Sequence, residues 1–165
     1  MATHATAKTM NVRATLYVWL SGLTITGSPS LVVQDQLRDG QDAPDLFMRF
    51  TLEGLPGQFQ GRFSSSLLAV RQSMLAVVDI FSRTPADQAS SNLYTIDKAA
   101  DDLAYQFTVM STALVDYASD SSGSTPTDAR LYTLDVPTVR ALPPTDGYVR
   151  RQVSVPITWH SRKAA

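Results

Sequence analysis

The chain has 165 residues, 44% of them apolar and 18% charged, with a formal net charge of −1; this is one domain of ordinary size with room for a core. Near-neutral charge argues against nucleic-acid binding driven by bulk phosphate neutralisation. The absence of cysteine excludes a disulfide framework, a thiolate metal site and a cysteine nucleophile, and fits a chain made in reducing cytoplasm.

Residues 1–9 are rich in Ala and Thr and read as a disordered start. From Met10 the apolar residues Val12, Leu16, Trp19, Leu20 and Leu23 recur at spacings of three and four, which predicts a helix with one buried stripe ending near Gly22. Its apolar runs are too short for a signal peptide or a membrane span. A turn-rich connector with Gly27 and Pro29 leads to a short strand over 31–35 and a polar loop over 36–44. Leu46, Met48, Phe50 and Leu52 then alternate with Phe47, Arg49, Thr51 and Glu53, a strand at period two.

The stretch 54–66 holds three glycines and a proline but keeps Leu55, Phe59 and Phe63. One reading is a long hairpin connection whose aromatics tuck back onto the domain. The other is an arm that carries Pro56, Phe59, Arg62 and Phe63 to a neighbouring subunit or tube. Residues 72–83 are apolar on both parities, with Met74, Ala76, Val78 and Ile80 on one and Leu75, Val77 and Phe81 on the other, which predicts a central strand. After a break over 84–92, Ile96, Ala99, Leu103, Phe107, Met110, Leu114 and Tyr117 predict a helix over 95–117 capped by Thr95. Its acids Asp97, Asp101 and Asp102 then suit the positive end of the helix dipole. A flexible loop over 118–127 follows, then a strand over 131–139 and a turn at 141–147 containing Pro143-Pro144.

The final stretch, 147–159, alternates Val149, Arg151, Val153, Val155, Ile157 and Trp159 with Tyr148, Arg150, Gln152, Ser154 and Thr158. Pro156 lacks an N–H, so an edge strand or a bulge is expected there. The adjacent Arg150 and Arg151 must point to opposite faces. Residues 161–165 read as a tail. The expected fold is therefore α+β, a single domain over 10–160 with a largely antiparallel or mixed sheet of four to five strands and two helices packed on one face.

Catalytic groupings do not stand out. His4 and His160 lack metal-pair spacing, no serine sits in a nucleophile elbow, and glycines occur singly. Asp101 and Asp102 are neighbours on a helix and do not face each other. Charge, by contrast, is segregated. Residues 79–128 carry eight aspartates against Arg83 and Lys98, whereas 129–165 carry Arg130, Arg140, Arg150, Arg151, Arg162 and Lys163 against Asp135 and Asp146. Eleven of the fourteen basic residues are Arg, the cation enriched at interfaces. The two halves either neutralise each other within the domain or meet between copies. In the second case the subunit interface draws on Arg150, Arg151, Asp101, Asp102 and Asp116. Arg150 then turns towards the aspartates of a neighbour, and Arg151 lies on the covered face, where it needs a carboxylate or carbonyl partner.

Three phrases carry a resemblance: Ala-Pro-Asp-Leu-Phe-Met-Arg-Phe at 43–50, Ser-Met-Leu-Ala-Val-Val-Asp-Ile-Phe at 73–81, and Gly-Tyr-Val-Arg-Arg-Gln-Val-Ser-Val-Pro at 147–156. In this order, and with the helix between the second and third, the chain resembles the tail terminator (tail completion) proteins of long-tailed bacteriophages over about residues 10–160. It differs at Gln72-Ser73, where that family often has a glycine. The resemblance implies a structural virion protein without enzymatic activity or cofactor. It implies a homo-oligomeric ring, typically a hexamer, assembled in the host cytoplasm at the head-proximal end of the tail. Its partners would be the tail-tube protein and the head-completion or connector protein, with DNA passing through the lumen and no membrane involved. A tail-tube or connector subunit, and a monomeric ligand-binding module, are the alternatives.

Overall fold

A computed structural model describes residues 9–32, 44–54, 69–83, 89–110, 113–114, 130–133, 135–145 and 147–162. Helix α1 (Thr9–Ser21) buries Val12, Leu16 and Leu20, one turn apart on a single stripe. Gly22 closes it, its N–H shared between the carbonyls of Val18 and Trp19 at 3.2 Å. The chain then turns through Gly27 at φ 79° and Ser28 at φ 47°. A Cβ on Gly27 would come within 2.5 Å of Leu46 Cδ2, so backbone and space both call for glycine.

One sheet follows, built from β1 (Ser30–Leu31), β2 (Leu46–Gly54), β3 (Ala69–Arg83), β4 (Ala113–Leu114), β5 (Arg130–Thr133), β6 (Thr138–Thr145) and β7 (Tyr148–Arg162). The strand order is β1-β2-β3-β7-β5-β4, with β6 also paired to β7. Only β1 and β2 run parallel. The central pair, β3 and β7, is in register from Ala69 opposite Arg162 to Arg83 opposite Tyr148. The fold is α+β with a largely antiparallel sheet. Five strands have four residues or more, and β1 and β4 are two-residue additions at the ends of the strand order.

Helix α2 (Ala89–Thr108) and α1 pack on the same sheet face. Ile96, Ala99, Ala100, Leu103 and Phe107 meet one parity of each main strand: Met48 and Leu52, then Met74, Ala76, Val78 and Ile80, then Val153, Val155, Ile157 and Trp159. Trp19 of α1 tilts against Phe107 of α2 with ring centroids 4.8 Å apart, joining the two helices over the sheet. Burial of each such side chain contributes about 1.5–3 kcal/mol, which makes this two-layer core the main source of stability. Met110 packs at its margin.

Several local expectations need correction. Helix α2 starts six residues before Thr95 and ends at Thr108, not at 117. Thr108 returns its hydroxyl to the carbonyl of Ala104, and β-branched Val109 and Thr112 follow, so propensity falls where the apolar spacing continues. Leu114 lies in β4, on the sheet. The strand expected over 131–139 is two strands, β5 and β6, separated at Asp135–Pro137. Pro143 and Pro144 stand inside β6, an outer strand whose register shifts between Leu142 and Thr145, where a missing N–H is tolerated. Gly147, at φ 79°, makes the turn into β7.

β7 itself is central and not an edge, and it runs on to Arg162. Its pairing with β6 reaches Ser154 and its pairing with β5 begins at Ile157, so Pro156 falls opposite the gap between them. The proline fits because its neighbour is interrupted there.

Candidate subunit interface

The sheet face opposite the helices is built from the other parity of the same strands. Strand pairing aligns its side chains in rows. One row runs Phe47, Phe81, Arg150, Leu142 across β2, β3, β7 and β6; the next runs Arg49, Asp79, Gln152, Arg140. Arg83 and Tyr148 are paired one row beyond Phe81. Four arginines, Arg49, Arg83, Arg140 and Arg150, therefore stand on a face whose central carboxylate is Asp79.

Aromatic rings form the floor of this face. Phe47 stacks on Phe81 with centroids 4.7 Å apart and planes 10° from parallel, and Tyr148 meets both edge-on. All three are buried as a cluster separate from the helix-side core, with Val32 against them. The guanidiniums of Arg49 and Arg150 lie 5.5 and 5.1 Å from the Phe81 ring centroid, within cation–π range. Arg83 takes the same position over Tyr148 at 5.3 Å, donates to the Tyr148 hydroxyl at 2.8 Å, and pairs with Asp45 at 3.7 Å.

Asp79, only 6% exposed, accepts a hydrogen bond from Gln152 Nε2 at 3.1 Å. Arg150 and Arg49 approach its two oxygens at 3.7 and 3.9 Å, ion-pair distances too long for direct hydrogen bonds. Partly exposed pairs of this kind contribute roughly 0–1 kcal/mol each. Their larger consequence is orientation: one carboxylate holds two planar cations over an aromatic floor without saturating them. The Nε atoms of Arg49 and Arg150 are buried and have no acceptor among the described residues.

The residues singled out from sequence are distributed as follows. Arg150 is on this face, where it also donates to Thr145 Oγ1 at 3.3 Å. Arg151 is on the helix side, as alternation requires; its Nε donates to Asp97 Oδ1 and its Nη1 to the Arg150 carbonyl. Asp102 is engaged by Thr26, whose hydroxyl and backbone N–H both donate to Oδ2. The Thr26 hydroxyl is the main reason the Asp102 carboxyl is held below its ordinary range; the Thr26 N–H and Lys98 add to this, and burial opposes it. Asp97, Asp101 and Asp102 lie well inside α2, so tertiary partners replace helix-end electrostatics as the account of Asp97 and Asp102. Asp101 is exposed on the outer surface of α2. Asp116, Pro56, Phe59, Arg62 and Phe63 lie outside the described residues.

Arg49, Asp79, Arg140 and the aromatic floor were not singled out from sequence. A signal existed: Asp79 and Arg49 are the charged residues set among the apolar runs of β3 and β2, and each shares parity with a phenylalanine. Among the described residues no group of three His, Cys, Asp or Glu could hold a metal ion, and no helix is long and apolar enough to cross a membrane.

No protein-family model matches the chain, and a comparison with curated proteins gives no match either.

Proposed function

We propose that this chain is a structural subunit that assembles with copies of itself into a ring of the tail-terminator type. Such a ring caps the tail tube of a long-tailed bacteriophage and joins it to the head-completion complex, with DNA passing through its lumen. The observation that carries the reading is the sheet face opposite the helices, where Arg49, Arg83 and Arg150 lie over buried aromatics. Aromatic and Arg side chains of this kind are the anchors of protein–protein contacts. Further support comes from the three phrases of the resemblance, which fall on β2, β3 and β7, three adjacent strands at the centre of the sheet.

Light-scattering mass with negative-stain imaging of the purified chain tests this reading. Closed rings of uniform size support it. A chain that stays monomeric at all concentrations rules it out, and open tubes would make it a tail-tube subunit instead.

A further inference from the structure

We infer that β6 of one copy pairs edge to edge, antiparallel, with the outer edge of β2 in a second copy, setting Arg140 opposite Glu53. This rests on the ring reading and names the contact that would build it.

Both edges are open. β6 pairs with β7 on one side, and no described strand pairs with its other side. Seven of its eight residues are exposed, so the rest of the chain does not cover it. Pro143 and Pro144 lack N–H groups and block one end of that edge, which leaves 138–142 to receive a strand. Val136 and Val139, 80% and 40% exposed, add apolar surface at its start. On the far side of the sheet, β1 occupies the outer edge of β2 at Phe47 and Met48, and the Val32 N–H donates to the Met48 carbonyl. Further along, no described residue pairs with that edge. Glu53 and Gly54 are exposed there, and a Cβ on Gly54 would meet nothing within 4 Å.

Direction, charge and register select this pairing. β2, β3, β7 and β6 alternate in direction, so a copy rotated about the strand direction presents its β2 antiparallel to β6. Arg140 and Glu53 are exposed, and neither has an ion pair or hydrogen bond among the described residues. Both lie on the parity opposite the helices: Arg140 shares a row with Arg49, and Glu53 is four residues beyond Arg49 on β2. Level pairing would bring Arg140 against Arg49 of the neighbouring copy, and Ala141 onto the place that β1 holds at Met48. A shift of four residues, about 13 Å, removes both conflicts. Arg140 then meets Glu53, Val139 meets Gly54, Ala141 meets Leu52 and Leu142 meets Thr51, and pairing stops at Pro143, short of β1. A stagger of this kind is what a sheet of tilted strands needs to close on itself. Because the contact joins two different edges it is head-to-tail, the geometry that closes into a ring when the rotation per subunit divides a full turn.

Mixing single-thiol variants tests the contact. The chain has no cysteine, so Glu53→Cys and Arg140→Cys each place one thiol at an exposed position. Residues directly opposite in an antiparallel pair have Cα atoms about 4.5–5.5 Å apart, inside the range that a disulfide spans. Within one chain the two positions are three strand spacings apart, about 14 Å, so a bond between them joins copies. Oxidising an equimolar mixture should give covalent dimers on a non-reducing gel, while each variant alone stays monomeric on that gel. Charge exchange gives a second readout. Glu53→Arg and Arg140→Glu should each raise the apparent dissociation constant of the assembly about tenfold or more, since like charges then face each other. The double variant Glu53→Arg/Arg140→Glu should recover most of the loss, and circular dichroism should show all three folded.

Assembly that is indifferent to both charge reversals, or that yields no mixed disulfide, overturns this contact and leaves the ring reading standing. Arg140→Cys that forms disulfides alone as readily as in the mixture would also overturn it, by pairing β6 with β6 across a two-fold axis. A wild-type chain that stays monomeric at all concentrations removes the ring reading and this contact with it.

Discussion

Arg151 and Asp97 tie the last strand to the second helix. The Nε of Arg151, on the covered side of β7, donates to Asp97 Oδ1 on α2, while its neighbour Arg150 points through the sheet to the other face. The Arg151 side chain is 14% exposed and Asp97 55%, so most of the desolvation cost falls on the arginine. A cation there needs its partner more than the partner needs it.

Arg151→Glu should therefore damage the fold, by about 1–3 kcal/mol, because it places a second carboxylate against Asp97 in a largely covered position. Urea denaturation measures it, and Asp97→Lys in the same chain should recover part of the loss. Unchanged stability of the single variant would show that the pair contributes nothing.

Phe107 is the joint of the helical layer. It is fully buried, packs on Trp19, and shares the core with Val78, Ile80, Val153 and Val155. Truncation to Ala should cost about 3–5 kcal/mol, the usual range for a core aromatic. A thermal melt of Phe107→Ala that matches wild type would mean the helix face is misplaced.

The stripes of α1 and α2 and the parity of β2, β3 and β7 were legible because burial on one face imposes period 3.6 or period 2 directly on the sequence. What was not legible was set by neighbours. Leu114 continues a helical spacing yet lies in a strand, since β5 offers it a partner. Pro156 and Pro143 read as breakers, but one sits opposite a gap and the other on an outer strand. Parity put Arg49 and Asp79 each on a face, but only the register of β2 on β3 made them opposite one another. The segregation of charge along the chain was visible. That Asp97 and Asp102 are engaged internally, leaving Asp101 exposed, required the tertiary structure.

Acid should loosen the tie between α2 and the turn at Thr26 that follows α1. The ordinary pKa of the Asp102 carboxyl is 3.8, and the Thr26 hydroxyl lowers it in the folded chain. Near that pH the unfolded chain thus binds more protons at this site than the folded one, so the contribution is complete above the unfolded value and lost as pH falls through the folded one. Stability of wild type relative to Asp102→Asn should be constant above about pH 5 and shrink below about pH 4. A difference that instead grew on acidification, in denaturant titrations across this range, would contradict the assigned hydrogen bonds.

Asp79 is the buried carboxylate of the sheet face opposite the helices. It lies beneath Arg49 and Arg150, accepts from Gln152, and is nearly inaccessible. Asp79→Asn should cost about 1–2 kcal/mol of folding stability, discounted from a fully buried pair because both arginines are partly exposed. Assembly should move the other way. With the internal carboxylate neutralised, the two guanidiniums carry more uncompensated charge, and an acidic group of a neighbour in the proposed ring would gain attraction. Sedimentation or light scattering at matched folded fraction should show association equal to or tighter than wild type, with a steeper salt dependence. Weaker association under those conditions would mean that Asp79 is itself part of the contact, and that the arginines are held for the fold alone.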